Sequence, residues 1–292
     1  MHKSEFEDVC IGEIHFAIRK VNYFDGCVPL VFLHGYMTHS MTWDLVVSEL
    51  PAVTPMLFID LPGSGQSARI RKAAIVSADK FANRLIDLLR NLGIVRCHII
   101  GSQMGGSLLG YMLDEHHRLG FDIIDKGVIM AAGALGETNT NMHFYKLLRS
   151  RLTGAILRFI MPQNRFTKMW RAAHGRGYKP NTQRENSFYD HFRMRGTEMT
   201  QLALAIRTSY GKDYSDLYDR LRPVKNNVLL IWGQDDKIVP EPTGKRFQTA
   251  LSNSKLVILD KVGDFPQEES PTEVARCIIS FINEGVMAEA TR

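Results

Sequence analysis

The stretch IIGSQMGGSL, residues 99–108, has the pattern of a buried strand that turns sharply into a helix. Two small residues, Gly101 and Gly105, flank its central position. A tight turn that displays one side chain needs small residues on both sides of it. The residue at the displayed position is Gln103, whose amide cannot ionise and is not a nucleophile. The stretch therefore predicts a displayed side chain that donates and accepts hydrogen bonds but cannot attack a carbonyl group.

Short apolar runs before and after this turn alternate with helical patterns. Continuous runs such as PLVFLHG (29–35), TPMLFID (54–60) and NVLLIWG (227–233) are typical of central parallel strands buried on both faces. IGEIHFAIRK (11–20) alternates apolar and polar residues, which predicts one half-buried antiparallel strand. Amphipathic helical patterns such as KFANRLIDLLRNLG (80–93) lie between the runs. This order predicts an α/β protein with a doubly wound, mostly parallel sheet.

The alternation of strands and helices breaks in the middle of the chain. Residues 137–222 show helical patterns and no convincing strand. We therefore expect a core domain formed by residues 1–136 and 223–292, with residues 137–222 inserted as a helical cap. Apolar cap residues recur at helical spacing, a pattern that indicates packed core more often than a pocket lining. These residues are Phe144, Tyr145, Phe159, Met161, Phe166, Met169 and Trp170.

Length and composition narrow the class of protein. The chain has 292 residues, of which 45% are hydrophobic, enough for one large domain with an insertion. It has no apolar run long enough for a membrane span, and its charged N-terminus lacks an export signal. Its four cysteines are scattered without a paired motif, which predicts reduced thiols and a cytoplasmic protein. The sequence leaves the oligomeric state open.

The net charge of +5 is distributed unevenly along the chain. Residues 138–184 contain ten Lys or Arg and no Asp or Glu, which predicts a positive local field. One interpretation is a solvated helix face whose cations pair with acids elsewhere. The other is a surface for an anionic or carrier-bound small molecule, or for an acidic partner. Nucleic acid is not expected, because the basic residues are interleaved with apolar ones and no binding motif is present.

Five motifs, in order, resemble those of the α/β-hydrolase superfamily. They are a His-Gly pair after a strand, a turn-rich loop, the turn described above, an acid-bearing segment and a segment in which the family carries histidine. In this chain they read HG (34–35), DLPGSGQS (60–67), GSQMGG (101–106), WGQDDKIVP (232–240) and GDFPQEESP (263–271). The resemblance covers nearly the whole chain. It implies the α/β-hydrolase fold, with the helical insertion as its cap or lid.

The resemblance also implies where a catalytic triad would lie, and two of its three positions are altered. The family's serine nucleophile falls at Gln103, because taking Ser102 instead would put the flanking glycines out of register. The acid falls at Asp236, and the histidine base falls at Asp264. Attack by serine requires a hydroxyl group and a base. Ordinary serine-hydrolase chemistry is therefore not expected.

The oxyanion hole that the resemblance implies does not depend on the altered side chains. It would use the backbone N–H groups of Met104 and Tyr36, next to Gly35 and His34. Backbone donors persist when side chains change, so the hole is expected to remain.

The altered positions have a chemistry of their own. In this fold the acid and the base touch, so Asp264 should lie close to Asp236. Like charges in a partly buried site cannot both ionise cheaply, so one carboxyl pKa should rise. A carboxyl pair that shares a proton can act as an acid or base near neutral pH. Two alternatives stay open: a water bridging the pair, and an Arg or Lys of the cap pairing with Asp264.

Three functions follow from these observations. The first is cofactor-free acid–base chemistry, of lyase, cyclase, isomerase or decarboxylase type, on a small carbonyl or acyl compound. In it Asp264 shuttles a proton and Gln103 positions the substrate. The second is a catalytically silent pseudohydrolase that binds a ligand or partner. The third is hydrolysis of an activated ester or thioester by water that Asp264 activates. No cofactor is expected, and no ligand spacing supports a metal site.

Overall fold

The computed structural model describes residues 4–68, 78–134, 156, 159–194 and 216–284. Within these residues eight strands form one sheet, in the order β1-β2-β4-β3-β5-β6-β7-β8. The strands are β1 (Ser4–Ile11), β2 (Ile14–Val21), β3 (Leu30–Leu33), β4 (Met56–Asp60), β5 (Cys97–Ser102), β6 (Ile124–Met130), β7 (Asn227–Gly233) and β8 (Ser254–Leu259).

The sheet is antiparallel at one edge and parallel elsewhere. Strand β2 pairs antiparallel with both β1 and β4, and every pairing from β4 to β8 is parallel. The predicted α/β-hydrolase fold with a mostly parallel sheet is thereby confirmed. All residues of β3, β4 and β5 are buried, as continuous apolar runs predict for central strands.

The first predicted strand differs in the structure. Residues 11–20 were expected to form one strand, but Ile11 ends β1 and Ile14 begins β2. Gly12, with φ of +61°, makes the turn between them. The two isoleucines are paired neighbours and both are buried. A two-residue turn therefore keeps both side chains in the core, which an unbroken alternating strand would not do.

Helices cover both faces of the sheet. They are α1 (Asp44–Val47), α2 (Ala78–Asn91), α3 (Met104–Leu119), α4 (Gln163–Ala173), α5 (182–194), α6 (Asp216–Leu221), α7 (Glu241–Ala250), α8 (Pro266–Glu269) and α9 (Pro271–Asn283). One apolar cluster fills the face under α2, α3 and α7. A second fills the opposite face under α1 and α9. No helix in the described ranges is long and apolar enough to cross a membrane.

The described part of the predicted cap is helical. Phe166 and Trp170, one turn apart on α4, pack against Phe192 and Phe188 of α5, with ring centroids 5.3 and 4.4 Å apart. These two residues of the predicted apolar stripe are therefore core. Two others, Phe159 and Met169, are exposed, while Phe144 and Tyr145 lie outside the described residues.

Candidate active site

Gln103 occupies the turn between β5 and α3, where the sequence pattern predicted a displayed residue. Its φ of +50° and ψ of −114° lie in a region that side-chain-bearing residues rarely adopt. Such a conformation costs on the order of 1–3 kcal/mol and persists only where surrounding structure enforces it. The glycines help to enforce it, because a Cβ on Gly101 would lie 2.4 Å from the carbonyl oxygen of Gly105. Gln103 is therefore held in place by close packing of the turn.

Ser102 is the last residue of β5 and is fully buried. Its hydroxyl donates a hydrogen bond of 3.1 Å to Oε1 of Gln267. This partner is another buried amide and not a base. Ser102 therefore has the geometry of a structural residue, in keeping with the register derived from the glycines.

Asp264 lies against Gln103. The amide nitrogen Nε2 of Gln103 donates to the carboxylate oxygen Oδ2 of Asp264, and also to its backbone carbonyl at 3.1 Å. The backbone N–H of Asp264 donates to the carbonyl of Ala173, at the end of α4, at 3.0 Å. Asp264 is only 4% exposed. The structure thus brings together the two altered triad positions and joins them to the cap.

Asp236 sits in the loop after β7, where the family resemblance placed the acid. Its Oδ1 accepts hydrogen bonds of 2.8 Å from the backbone N–H groups of Ile238 and Val239. Its Oδ2 is buried and has no hydrogen-bond partner within the described part of the chain. Asp235, beside it, accepts instead from the backbone N–H of the exposed Arg176. The side chain of Asp236 is therefore oriented by the loop and left with one free oxygen.

The site contains buried carboxyl groups whose pKa values are raised. Burial, followed by the charge of Asp236, raises the pKa of Asp264 well above its usual range, although the Gln103 hydrogen bond opposes the shift. Burial also raises the pKa of Asp236 to about 7, opposed by its two backbone hydrogen bonds. None of the ion pairs formed by described residues involves either carboxyl group. Two such groups without a cation hold protons at higher pH than ordinary aspartates do.

Glu269 is a residue of the site that sequence reasoning missed. Its carboxylate accepts hydrogen bonds from the backbone N–H groups of Gly263 and Phe265, on either side of Asp264. It also accepts one from Gly175 in the cap, at 2.8 Å. Burial raises the pKa of Glu269 to about 7. Glu269 therefore fixes the loop that presents Asp264 and joins this loop to the cap.

His34 braces the loop that follows β3. Its Nδ1–H donates to the carbonyl of Gly35 at 2.8 Å, and its Nε2 accepts from the backbone N–H of Leu61 at 2.9 Å. Burial lowers the pKa of His34 to about 4, so its imidazole is neutral. Both ring nitrogens are occupied by backbone groups. His34 can therefore hold the loop in place but cannot serve as a base.

The backbone around the predicted oxyanion hole is close to Gln103. Met104 is the first residue of α3, so its N–H has no acceptor within the helix. A Cβ placed on Gly35 would lie 2.0 Å from Oε1 of Gln103. Tyr36 follows Gly35 and is half-buried. The displayed amide and the two backbone segments expected to form the hole are therefore neighbours.

A chain of hydrogen-bonded side chains, buried except for the half-buried Arg184, runs from the turn to the predicted cap. Arg184 of α5 donates two hydrogen bonds of 2.7 Å to Glu268, which also accepts from Thr42. Gln267 in turn donates to Thr42 and accepts from Ser102. The sequence signal for this network was the run PQEESP, but the partners come from three distant parts of the chain.

No histidine takes over the base position in the described residues. His174 of the cap is buried, and its Nδ1–H donates to the carbonyl of Trp170 at 2.7 Å. Its ring stacks on Phe265, with centroids 4.9 Å apart, next to Asp264 in the chain. His39 instead packs against His191, with ring centroids 4.5 Å apart. Neither histidine forms a hydrogen bond with the Gln103 or Asp264 side chain.

Several cations of the acid-free segment pair with acids elsewhere. Arg171 pairs with Glu185, Arg176 with Asp235, and Arg184 with Glu268. For these three the interpretation as paired cations is supported. Other basic residues of the segment, Lys146, Arg149, Arg151 and Arg158, lie outside the described residues.

One group of described carboxylates is close enough together to hold a metal ion: Asp79, Asp114 and Glu115. Arg220 of α6 contacts all three acids. The cluster is therefore built as an ion-pair network that joins α2, α3 and α6. It lies apart from Gln103 and Asp264 and supplies no ligand to them.

The profile of the alpha/beta hydrolase family matches residues 30–277. The chain therefore belongs to the alpha/beta hydrolase family, as its motifs and its sheet indicated. The chain is 24% identical over 287 residues to a 2-hydroxy-6-oxononadienedioate/2-hydroxy-6-oxononatrienedioate hydrolase of Pseudomonas sp, and the match covers 96% of each. It is 26% identical over 280 residues to the uncharacterized hydrolase YugF of Bacillus subtilis strain 168, covering 91% of this chain and 96% of that one.

Solved structures show the same fold. A serine hydrolase involved in carbazole degradation superposes with a TM-score of 0.76 at 20% identity, covering 96% of this chain and 99% of the other. The 2-hydroxy-6-oxo-6-phenylhexa-2,4-dienoate hydrolase of Rhodococcus sp. strain RHA1 gives a TM-score of 0.75 at 17% identity, covering 97% and 100%. At these identities the likeness extends to the fold alone.

Proposed function

We propose that this protein is an enzyme that moves a proton on a small carbonyl or acyl compound without forming an acyl-enzyme. Asp264 exchanges the proton with the substrate, and the nearby charge of Asp236 helps to keep Asp264 protonated in the resting site. Gln103 holds Asp264 and positions the substrate, while the N–H groups of Tyr36 and Met104 stabilise the oxygen on which negative charge develops. The reaction is of lyase, cyclase, isomerase or decarboxylase type and uses no cofactor.

One observation carries this proposal: the hydrogen bond from the Gln103 amide to the buried carboxyl of Asp264. It puts the two altered triad positions in contact, and no ion pair formed by the described residues places a cation on Asp264 or Asp236. Burial and the neighbouring acid raise the pKa of Asp264 well above its usual range. A carboxyl group with a raised pKa, next to a second carboxyl group, suits proton transfer near neutral pH.

The four cysteines are unpaired, which supports the expected cytoplasmic location.

Hydrolysis without a covalent intermediate is a second candidate. The relatives are named as hydrolases of dienedioates, which favours water as a co-substrate. In this version Asp264 takes a proton from water while Gln103 orients it, and the water attacks an activated ester or thioester. The site residues and their roles are otherwise the same.

A silent ligand-binding protein is a third candidate. The Gln103 amide bonds Asp264 twice and reaches the loop after β3. An amide held in this way fills part of the space between nucleophile and base positions. A pseudohydrolase would bind the same small ligands, anionic or carrier-bound ones included, and release them unchanged.

Turnover assays with inhibitors and variants separate the three candidates. The wild type is incubated with panels of ketones, hydroxyketones, activated esters and thioesters, before and after treatment with a fluorophosphonate. The proposal expects turnover that survives the inhibitor and falls roughly 100-fold or more in Asp264→Asn. The exposed Asp260 provides a matched control, and Asp260→Asn should keep full activity.

The outcomes exclude one another. Recovery of each compound unchanged after prolonged incubation, with binding retained, would select the silent ligand-binding protein. Turnover confined to esters and thioesters would select hydrolysis. Covalent labelling of a serine by the fluorophosphonate would show that the protein can form an acyl-enzyme and would overturn the proposal. Full activity in Asp264→Asn would overturn it as well.

A further inference from the structure

The orientation of the Gln103 amide determines which groups it offers to a ligand. Nε2 faces the backbone carbonyl of Asp264 at 3.1 Å. A carbonyl oxygen can only accept a hydrogen bond, so the nitrogen of the amide must face it. The amide oxygen Oε1 therefore points the other way, toward Gly35.

Oε1 of Gln103 is a buried acceptor that has no donor. Gln103 is 8% exposed, and Oε1 has no hydrogen-bond partner in the described ranges. The carboxyl oxygens Oδ1 of Asp264 and Oδ2 of Asp236 are buried and unpartnered as well. Buried polar atoms in folded proteins are nearly always hydrogen-bonded. A carboxyl group can gain a proton and become a donor, but an amide oxygen cannot, so the unpartnered Oε1 indicates that a bound molecule supplies its donor.

The surroundings of Oε1 restrict what the donor can be. Gly35 packs against Oε1, since a Cβ on it would lie 2.0 Å from that oxygen. An amide oxygen can only accept a hydrogen bond, so a ligand group that reaches Oε1 must donate to it. A hydroxyl group can donate, whereas an ester or ketone oxygen can only accept and would be repelled by Oε1.

We infer that the ligand presents a hydroxyl group, as an alcohol or an enol next to a carbonyl, to Oε1 of Gln103. This inference rests on the proposed function for its location, since it concerns the same site. It narrows the ligand class from carbonyl compounds in general to hydroxy-carbonyl compounds or their enols. It also explains why a long amide stands at a strained position: glycine would relieve the strain but would supply no acceptor.

Binding measurements with matched ligands test this inference without requiring turnover. The probes are hydroxyacetone and 2-hydroxyacetophenone, each compared with its O-methyl ether, which keeps the carbonyl and removes only the hydroxyl donor. Titration calorimetry on the wild type should show at least about tenfold weaker binding of each ether, the ratio for loss of one hydrogen bond to a buried group. Equal affinity of alcohol and ether would overturn the inference.

A variant shows whether Gln103 is responsible for the preference for the alcohol over the ether. Gln103→Met keeps the length of the side chain and removes the acceptor, so it should bind alcohol and ether equally. Gln248→Met, at an exposed position on α7, is the matched control and should keep the wild-type ratio. Thermal melts establish that each variant is folded. If Gln103→Met is unfolded, the alcohol-to-ether ratio of the wild type decides alone.

The binding preference and the proposed enzymatic turnover are measured separately, so either can fail without the other. Preference for the alcohol with no turnover would keep the hydroxyl site and reject the enzyme. Turnover with no preference for the alcohol would keep the enzyme and reject the hydroxyl site.

Discussion

At the scale of single residues, Gln103 combines a strained backbone with a fully engaged amide nitrogen. The strain belongs to the backbone of the turn, where φ is +50°. The contact with Asp264 comes from the side chain alone. These two properties can be separated by substitution, because alanine and glycine both remove the amide but only glycine relieves the strain.

We predict that Gln103→Gly is more stable than Gln103→Ala by about 1 kcal/mol. Relief of the positive-φ strain favours glycine by on the order of 1–3 kcal/mol, and the greater freedom of glycine in the unfolded chain offsets part of it. Urea denaturation of both variants measures the difference. Equal stability, or a more stable alanine variant, would show that the turn is not strained.

At the scale of elements, strand β6 and helix α9 are joined by one buried lysine. The ammonium group of Lys126 donates to the carbonyls of Phe281, Ile282 and Glu284, at 3.0, 2.8 and 2.6 Å. Phe281 and Ile282 belong to the last turn of the helix, whose carbonyls lack partners within the helix, and Glu284 directly follows it. A cation at this end also complements the helix dipole.

We predict that Lys126→Met lowers the free energy of unfolding by about 1–3 kcal/mol, because three carbonyls lose a charged donor. Lys245→Met is the control: Lys245 is 65% exposed and pairs with Glu241 on the surface. Lys245→Met should lower the free energy of unfolding by less than about 1 kcal/mol. Chemical denaturation of the two variants side by side gives the comparison, and equal losses would count against the capping role of Lys126.

The predicted cap is joined to the core through Arg184 and Glu268. The Glu268 side chain is 4% exposed, and Arg184 binds both of its oxygens. We predict that Arg184→Met destabilises the protein by about 3–5 kcal/mol, because it leaves a buried carboxylate without its cation. The double variant with Glu268→Gln should recover much of the loss.

Arg176→Met serves as the control for the cap, since the Arg176 side chain is 63% exposed. Arg176→Met should lower the free energy of unfolding by less than about 1 kcal/mol. If Arg184→Met loses no more free energy of unfolding than this control, the buried pair does not hold the predicted cap.

At the scale of the whole molecule, the buried acids couple stability to pH. Asp236 has a folded pKa of about 7 against an ordinary value of 3.8, and the pKa of Asp264 is also raised. The folded state therefore binds more protons than the unfolded chain between these two pKa values. The raised pKa values therefore contribute stability that is fully present below about pH 4. This contribution should be lost progressively as the pH rises toward about 7.

We predict that Asp264→Asn gains stability relative to the wild type as the pH rises from about 5 to about 8. The variant keeps the shape of the side chain but cannot ionise, so the wild type alone is penalised at high pH. Thermal melts across this range measure the difference. A difference that does not change with pH would mean that Asp264 ionises at its ordinary pKa.

Much of the sheet and part of the site could be predicted from the sequence. Continuous apolar runs mark the central strands, since a strand buried on both faces has no polar alternation. The spacing of Gly101 and Gly105 sets the register of the turn, because that register depends on local sterics. The hairpin at Gly12 was missed, since apolar alternation alone does not show where one strand ends and the next begins.

The partners of the site residues could not be predicted from local pattern. Glu269, Gln267 and Arg184 contribute through contacts between segments far apart in sequence, and no spacing encodes such contacts. The unpaired oxygens of Gln103 and Asp264 likewise become visible only when all neighbours are in place. The altered triad identified the site, and the folded structure showed that its two changed residues touch.

Infrared difference spectroscopy shows whether the Asp264–Asp236 pair holds a proton at neutral pH. A protonated carboxyl group absorbs at a frequency distinct from that of a carboxylate, and the signal needs no substrate. We expect a protonated-carboxyl band in the wild type at about pH 7, and we expect Asp264→Asn to abolish this band or to leave only the contribution of the remaining acid. If Asp264→Asn leaves the protonated-carboxyl region of the spectrum unchanged at that pH, Asp264 does not hold a proton there.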